Sequence, residues 1–172
     1  DEFREGQREV ITALEKGHDA IAILPTGNGK SFIYQYIGVK EKCRVVIVSP
    51  LIALMVDQVA SLKQLGIHRA VAITSLMSES EKNYILSTLK EYQFIFVSPE
   101  MLQAPRFFKQ LSKLEIGLLV VDEAHCISQW GYDFRSDYLF IGKMRKSLGS
   151  PRTLALTATA TTQVIHDIYT FL

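Results

Sequence analysis

The stretch Ala20-Ile21-Ala22-Ile23-Leu24-Pro25-Thr26-Gly27-Asn28-Gly29-Lys30-Ser31 passes from a short apolar strand through a glycine-containing turn into a helix. Ala20–Leu24 shows no polar alternation, as expected of a strand covered on both faces. The glycines let successive backbone N–H groups turn inward around phosphate oxygens, and the helix that begins near Lys30 adds a favourable dipole. Lys30 is placed to reach β- and γ-phosphates, and the Ser31 hydroxyl to ligate Mg²⁺. Leu24 stands where such loops usually carry their first glycine. The bland alternative is a Gly-rich turn that binds nothing, and Gly29-Lys30-Ser31 at a strand–helix junction argues against it.

Outward from this stretch the same alternation continues. Val45–Val48, Ala70–Ile73, Phe94–Val97, Leu118–Val121 and Leu154–Leu156 read as further buried strands. Helical periodicity fits an opening segment at about Gln7–Glu15, then about Lys30–Ile37, Ala53–Leu65, Glu79–Lys90, Glu100–Leu114 and Asp137–Leu148. Ser78-Glu79-Ser80-Glu81 is a capping box, and Gly66 after Leu65 a C-cap. Strand–helix alternation of this kind predicts an α/β fold: a doubly wound, mostly parallel sheet of about six strands with helices on both faces. Ligands in such sheets bind at the carboxyl ends of the strands.

The 172 residues suffice for one domain with its own core, and no repeat or linker divides them. With 48% apolar and 22% charged residues, the composition argues against disorder or a fibre. The net charge of +1 gives no global nucleic-acid signal, so any anion site must be local. The apolar runs are too short to span a bilayer, and no signal peptide is visible, so no membrane partner is expected. Cys43 and Cys126 are isolated, which suits a reduced interior and gives no metal-ligand spacing. The chain begins abruptly at Asp1, as expected of a piece of a longer protein.

Three more segments carry chemistry. Leu118–Val121 runs into Asp122-Glu123-Ala124-His125, which puts two carboxylates at the sheet edge where the phosphate loop lies. Asp122 would hold Mg²⁺, and Glu123 would orient or deprotonate an attacking water. Alone, an acidic pair after a strand is usually a solvated turn; beside a phosphate loop the functional reading prevails. Leu156-Thr157-Ala158-Thr159-Ala160-Thr161 is weak by itself, although its hydroxyls could link the acidic turn to whatever moves on hydrolysis. Cys126-Ile127-Ser128-Gln129-Trp130-Gly131-Tyr132-Asp133-Phe134-Arg135 places three aromatics and an Arg beside the carboxylates. Aromatic faces stack on unpaired bases and Arg pairs with phosphate. Equally, Trp130 and Phe134, four apart, fit the buried side of a short helix, and the residues alone leave the choice open.

Taken in order, Phe3-Arg4-Glu5-Gly6-Gln7, Leu24–Ser31, Ser49-Pro50-Leu51-Ile52-Ala53-Leu54-Met55, Val97-Ser98-Pro99-Glu100, Asp122–Arg135 and Ala155–Thr161 resemble the RecQ family of superfamily 2 DNA helicases. The resemblance covers essentially the whole chain, and DEAH-box RNA helicases share only the first four letters of the Asp122–Arg135 run. It implies that residues 1–172 are a helicase ATP-binding domain, the first of two RecA-like P-loop lobes of an ATP-driven 3′→5′ DNA helicase. ATP and Mg²⁺ would be its cofactors, single-stranded and duplex DNA its partners, and its setting intracellular: cytoplasm and nucleoid, or nucleus. It assigns Arg4 and Gln7 to adenine recognition, a role a side-chain amide suits because it can pair with both a donor and an acceptor. It assigns Pro25, Thr26, Gly27, Asn28, Gly29, Lys30 and Ser31 to the nucleotide phosphates, with Mg²⁺ held by Ser31 and Asp122. Lys30, Asp122 and Glu123 would be catalytic, with His125 and Gln129 coupling the ATP and DNA sites. Trp130, Phe134 and Arg135 belong to the family's aromatic-rich loop, which couples single-stranded DNA to hydrolysis. Ser49, Pro50 and Leu51, with Ser98 and Pro99, fall in segments that track the DNA backbone.

Two departures stand out. Asn28 occupies a position where the family more often has a smaller residue, and the aromatic that often stacks on adenine would lie before Asp1. A second lobe with its arginine finger, and the zinc-binding and winged-helix modules of longer members, are absent from these residues, so the lobe alone should bind nucleotide weakly and unwind nothing. Competing readings are an RNA helicase or translocase of the same superfamily, against which the Gln129-Trp130-Gly131 extension speaks, and a non-catalytic ATP-binding adaptor, against which Lys30, Asp122 and Glu123 speak. A small-molecule kinase should carry a lid and an acceptor site, and neither is evident.

Overall fold

Continuous apolar strands need cover on both faces, and they find it. A computed structural model describes residues 3–25 and 29–172; Thr26, Gly27 and Asn28 of the candidate phosphate loop lie outside them. Among the described residues β1 (Ala20–Ile23), β2 (Val45–Val48), β3 (Ala70–Ile73), β4 (Phe94–Val97), β5 (Leu118–Val121) and β6 (Thr153–Thr157) form one sheet in the order β1-β6-β5-β2-β4-β3. Every pairing is parallel. Alternate residues feed two cores. Val46, Val48, Ile95, Val97, Leu119 and Val121 face one, while Val45, Ile47, Phe94, Phe96, Leu118 and Val120 face the other.

The second core is closed by α1 (Gln7–Glu15), α2 (Lys30–Glu41) and α3 (Ile52–Gln64), through residues such as Leu14, Ile33, Ile37 and Leu62. The first is closed by α4 (Glu79–Ser87), the short helices α5 (Pro99–Leu102) and α6 (Pro105–Leu111), α7 (Ile141–Ser147) and α8 (Thr162–Phe171). Ser78 caps α4, its Oγ accepting the Glu81 N–H at 3.2 Å. Gly66 follows α3 at φ +85°, a left-handed conformation that lets Ile67 N–H return to the Leu62 carbonyl at 2.9 Å.

The helix expected over Glu100–Leu114 is two pieces. Pro105 has no N–H to give and forces Ala104 into the extended region (ψ 122°), so α5 stops and α6 restarts with Pro at its first position. The segment expected over Asp137–Leu148 begins as a 3₁₀ turn, Ser136–Phe140, before α7. The closing helix α8 is not anticipated by the strand–helix count. Its signals are Thr161, whose Oγ1 accepts the Val164 N–H at 3.3 Å, and the buried pair Val164 and Ile168, four apart. No helix among the described residues is long and apolar enough to cross a membrane.

Candidate functional site at the carboxyl edge of the sheet

The carboxyl ends of β1, β6 and β5 lie side by side, which brings together turns far apart in sequence. α2 starts directly beyond β1, with Gly29 at φ +71° as its N-cap and Lys30 and Ser31 as its first residues. A Cβ on Gly29 would sit 2.5 Å from Gln7 Nε2, so the position excludes a side chain on space as well as on backbone conformation. The approach is close because the buried Gln7 amide braces the N-cap of α2: Nε2 donates to the Gly29 carbonyl at 3.0 Å, and Oε1 accepts the Arg4 N–H at 2.7 Å. Arg4, Gly29, Lys30, Ser31, Asp122 and Glu123 line one cavity of about 410 Å³. A larger cavity of about 880 Å³, between residues such as Arg44, Arg69 and Gly117, sits away from all the motif residues.

Asp122 leaves β5 with its N–H still on the Val48 carbonyl, and its own carbonyl accepts the buried Tyr138 hydroxyl at 2.7 Å. Its carboxylate accepts the Glu123 N–H at 3.0 Å. Burial first, then the neighbouring Glu123 charge, raises the Asp122 pKa to about 6, against a smaller opposing pull from Lys30. Glu123 is held at φ +52°, a conformation uncommon for a side-chain-bearing residue, and it turns the chain into the 3₁₀ segment Ala124–Ile127. Two carboxylates and a hydroxyl around one cavity form an oxygen donor set suited to a hard divalent cation, and the Lys30 ammonium beside them suits phosphate oxygens.

His125 is buried between three elements. Its Nδ1 lies 2.8 Å from Thr157 Oγ1, and that hydroxyl donates to the Thr159 carbonyl at 3.0 Å. The Thr157 oxygen therefore accepts the proton on Nδ1, which leaves Nε2 facing the Glu123 carboxylate at 3.5 Å. Burial holds the imidazole below its ordinary pKa against the pull of Glu123. Tyr132 stacks on the ring, with centroids 4.5 Å apart and planes at 19°. The Thr157 hydroxyl thus does connect the acidic turn to the last strand, whereas neither Tyr132 on His125 nor Tyr138 under Asp122 was visible in any spacing.

The aromatic segment is not core. Trp130 is 74% exposed and Tyr132 73%, and Phe134 and Gln129 are also at the surface. Arg135 pairs with Asp133 at 3.3 Å, and its N–H returns to the Cys126 carbonyl. Cys126, isolated in sequence, comes within 4.8 Å of ligand atoms of His125 and Asp133. Nδ1 of His125 is already held by Thr157, Cys126 Sγ lies against the Asp133 carboxylate and Arg135 pairs with it, so these groups serve the internal bonding of the loop. Ser49 and Ser98 are buried, their hydroxyls accepting the N–H groups of Leu51 and Met101 at the starts of α3 and α5. Pro99 is buried, Pro50 and Leu51 are half-buried, and Pro25 is exposed.

Comparison with known proteins places this edge among helicases. The chain is 47% identical over 170 residues to the probable ATP-dependent DNA helicase RecS of Bacillus subtilis (strain 168), covering 99% of the chain and 34% of that protein. It is 41% identical to the ATP-dependent DNA helicase RecQ of the same organism, over 98% of the chain and 29% of that protein. It is also 41% identical to the ATP-dependent DNA helicase Q5 of Rattus norvegicus, over 95% of the chain and 18% of that protein. The chain spans about a third or less of these relatives, and the RecQ resemblance read from the motifs is borne out. The fold is that of the Pyrococcus furiosus Hef helicase domain (TM-score 0.77, 22% identity, 98% of this chain and 36% of that one). It is equally that of the DUF1998 helicase MrfA (TM-score 0.75, 17% identity, 97% of this chain and 26% of that one). Residues 4–168 match the family described as DEAD/DEAH box helicase, and to that family the chain belongs.

Proposed function

We propose that this chain is the ATP-binding and hydrolysing lobe of a DNA helicase that couples hydrolysis to 3′→5′ movement on single-stranded DNA and to duplex unwinding. One observation carries the reading: Lys30, Ser31, Asp122 and Glu123 line one cavity, and the chain leaves that cavity directly into an exposed aromatic loop stacked on His125. The direction of movement and the choice of DNA rest on the likeness to RecQ and RecS. An intracellular setting follows from ATP and DNA as ligands.

In this reading Pro25–Ser31 cradles the phosphates, and Arg4 and Gln7 flank the adenine. Ser31 and Asp122 would hold Mg²⁺, which would supply neutralisation of the phosphate charge. Lys30 places a fixed positive charge at the same point. Glu123 accepts a proton from the attacking water, and the neutral His125 sits behind it with Nε2 facing its carboxylate. Trp130 and Phe134 stack on bases, Arg135 meets the strand backbone, and the half-buried Pro50 and Leu51 offer it further contacts, whereas the buried Ser49, Ser98 and Pro99 shape that edge from beneath. His125 and Gln129 pass a displacement of the loop to the carboxylates. A second lobe supplies the Arg that stabilises charge on the transferred phosphoryl group.

The test is Lys30→Ala in a protein carrying this lobe together with a second one. ATP turnover should be lost while the melting temperature barely changes, because Lys30 is a ligand rather than a packing element. Wild-type turnover by the variant would remove the phosphate-loop assignment. Stimulation by an RNA strand in place of DNA would favour the RNA-helicase reading.

A further inference from the structure

Ser128 lies where the buried Ala124–Ile127 turn gives way to the exposed aromatic loop, and it is fully buried. Its proton goes to Asp167 Oδ2 at 2.6 Å, and its oxygen accepts the backbone N–H of Trp130 at 3.1 Å. Asp167 stands on α8 and is 9% exposed; its Oδ1 accepts from Gln163 Nε2, one turn earlier, at 3.1 Å. The hydrogen bonds therefore run in one direction, from the Trp130 backbone through a hydroxyl to a carboxylate. A carboxylate, which only accepts, is suited to end such a chain, and its charge shortens and strengthens the bond from Ser128.

Burying a carboxylate is costly, and α8 already has Val164 and Ile168 to dock it. What the carboxylate adds is a hold on the first aromatic of the loop. Trp130 is three-quarters exposed, so packing does little to fix it. The loop is also tied by the Tyr132–His125 stack, the Arg135 N–H on Cys126, the Gly131 N–H on Ser128 and the side-chain contacts of Asp133. α8 also meets the site from its other end, because it is entered from β6 just after Thr157, the hydroxyl that orients His125.

We infer that Asp167, acting through Ser128, is a positioning residue that holds the backbone at Trp130 and sets the aromatic loop against the His125–Thr157 pair. For its effect on DNA, the inference rests on the proposed role of that loop.

The single Trp of the chain is the reporter. Trp130 anisotropy and acrylamide quenching are measured without ligand in Ser128→Ala, Asp167→Ala, the double variant and the isosteric Asp167→Asn, followed by titration with a single-stranded thymidine oligonucleotide. Each alanine variant should lower the anisotropy and raise quenching at unchanged far-UV circular dichroism. Losing a hydrogen bond to a charged group should raise the half-saturating oligonucleotide concentration about tenfold. The double variant should lose no more than either single one, with Asp167→Asn in between. Unchanged Trp130 signals in Asp167→Ala overturn the inference, as do losses that add in the double variant. If the wild-type chain ignores the oligonucleotide, the DNA reading of the loop fails, and the ligand-free anisotropy still decides the anchor. Should Asp167→Ala not fold, Ser128→Ala and Asp167→Asn supply the same readouts: lower anisotropy and higher quenching support the anchor, and unchanged signals overturn it.

Discussion

Asp122 and Glu123 show how one residue sets the charge of its neighbour. Burial and the Glu123 charge both favour the protonated form of Asp122, whose folded-state pKa of about 6 lies above its ordinary 3.8. The folded chain therefore binds more protons than the unfolded one between these values, and stability falls as pH rises through that window. Asp122→Asn removes the penalty. Its melting temperature should exceed the wild-type value at about pH 8 and converge with it at about pH 3, where both side chains are neutral. Mg²⁺ should stabilise only the wild type and narrow the gap at pH 8; a gap independent of pH would contradict this account. Glu123→Gln keeps size and should keep nucleotide binding while turnover falls about 10²–10⁴-fold, the usual loss for a general base. Isothermal titration beside a phosphate-release assay separates the two, and binding lost together with turnover would make Glu123 a cation ligand or a structural group. Trp130 gives the opposite sort of test. As an exposed side chain, its change to Ala should alter stability by within about 0.5 kcal/mol, where a core aromatic would cost about 3–5 kcal/mol. Oligonucleotide-stimulated ATPase in a two-lobe protein should fall with it.

At the scale of elements, what matters is how closely the helices approach the sheet. α2 lies on β2 and β4 so closely that a Cβ on Gly38 would meet Phe94 Cζ at 2.6 Å and Val45 Cγ2 at 2.9 Å. Gly38→Ala gains about 1 kcal/mol of helix propensity. Three contacts below 3 Å in a filled core outweigh that gain, so the variant should be destabilised, overpacking typically costing about 1–3 kcal/mol. Urea unfolding measures the balance; a more stable variant would mean that α2 can slide. Since Lys30 and Ser31 open the same helix, a shift of α2 should also weaken nucleotide binding. The breaks between elements follow local chemistry less evenly. Pro105 divides α5 from α6 and was visible as a residue, but the apolar periodicity through Leu102, Phe107 and Leu111 carried one helix across it. Both pieces bury that face against the same core, so the pattern survives the break.

For the whole molecule, the six-stranded sheet of the described residues has both faces covered, so the chain should fold by itself with a cooperative transition. It should separate no strands alone, because transition-state charge on the phosphoryl group calls for an Arg from a second lobe. Strand separation in a gel assay by this chain alone would overturn the two-lobe reading.

The strands were legible because each is a short apolar run covered twice, so composition and location coincide. That Gly29, Lys30 and Ser31 share one cavity with Asp122 and Glu123 was legible for a related reason: each group is a run of neighbours in sequence, held at the end of a strand. Contacts between separate segments were not. His125 finds Thr157 across 32 residues and Ser128 finds Asp167 across 39, and only the β5–β6 register, with Val121 beside Ala155, brings those turns together. The place of Trp130 was open for the same reason. Spacing four from Phe134 suits a buried helical face or an exposed loop equally, and a residue is buried only if the core has room for it. Here Cys126, Ile127, Tyr138 and Ile141 already occupy that face of the sheet. Local chemistry along the chain therefore determined which polar groups are offered at the ends of the strands, whereas tertiary packing decided which side chains are left outside, because filling a core is a property of all its residues at once.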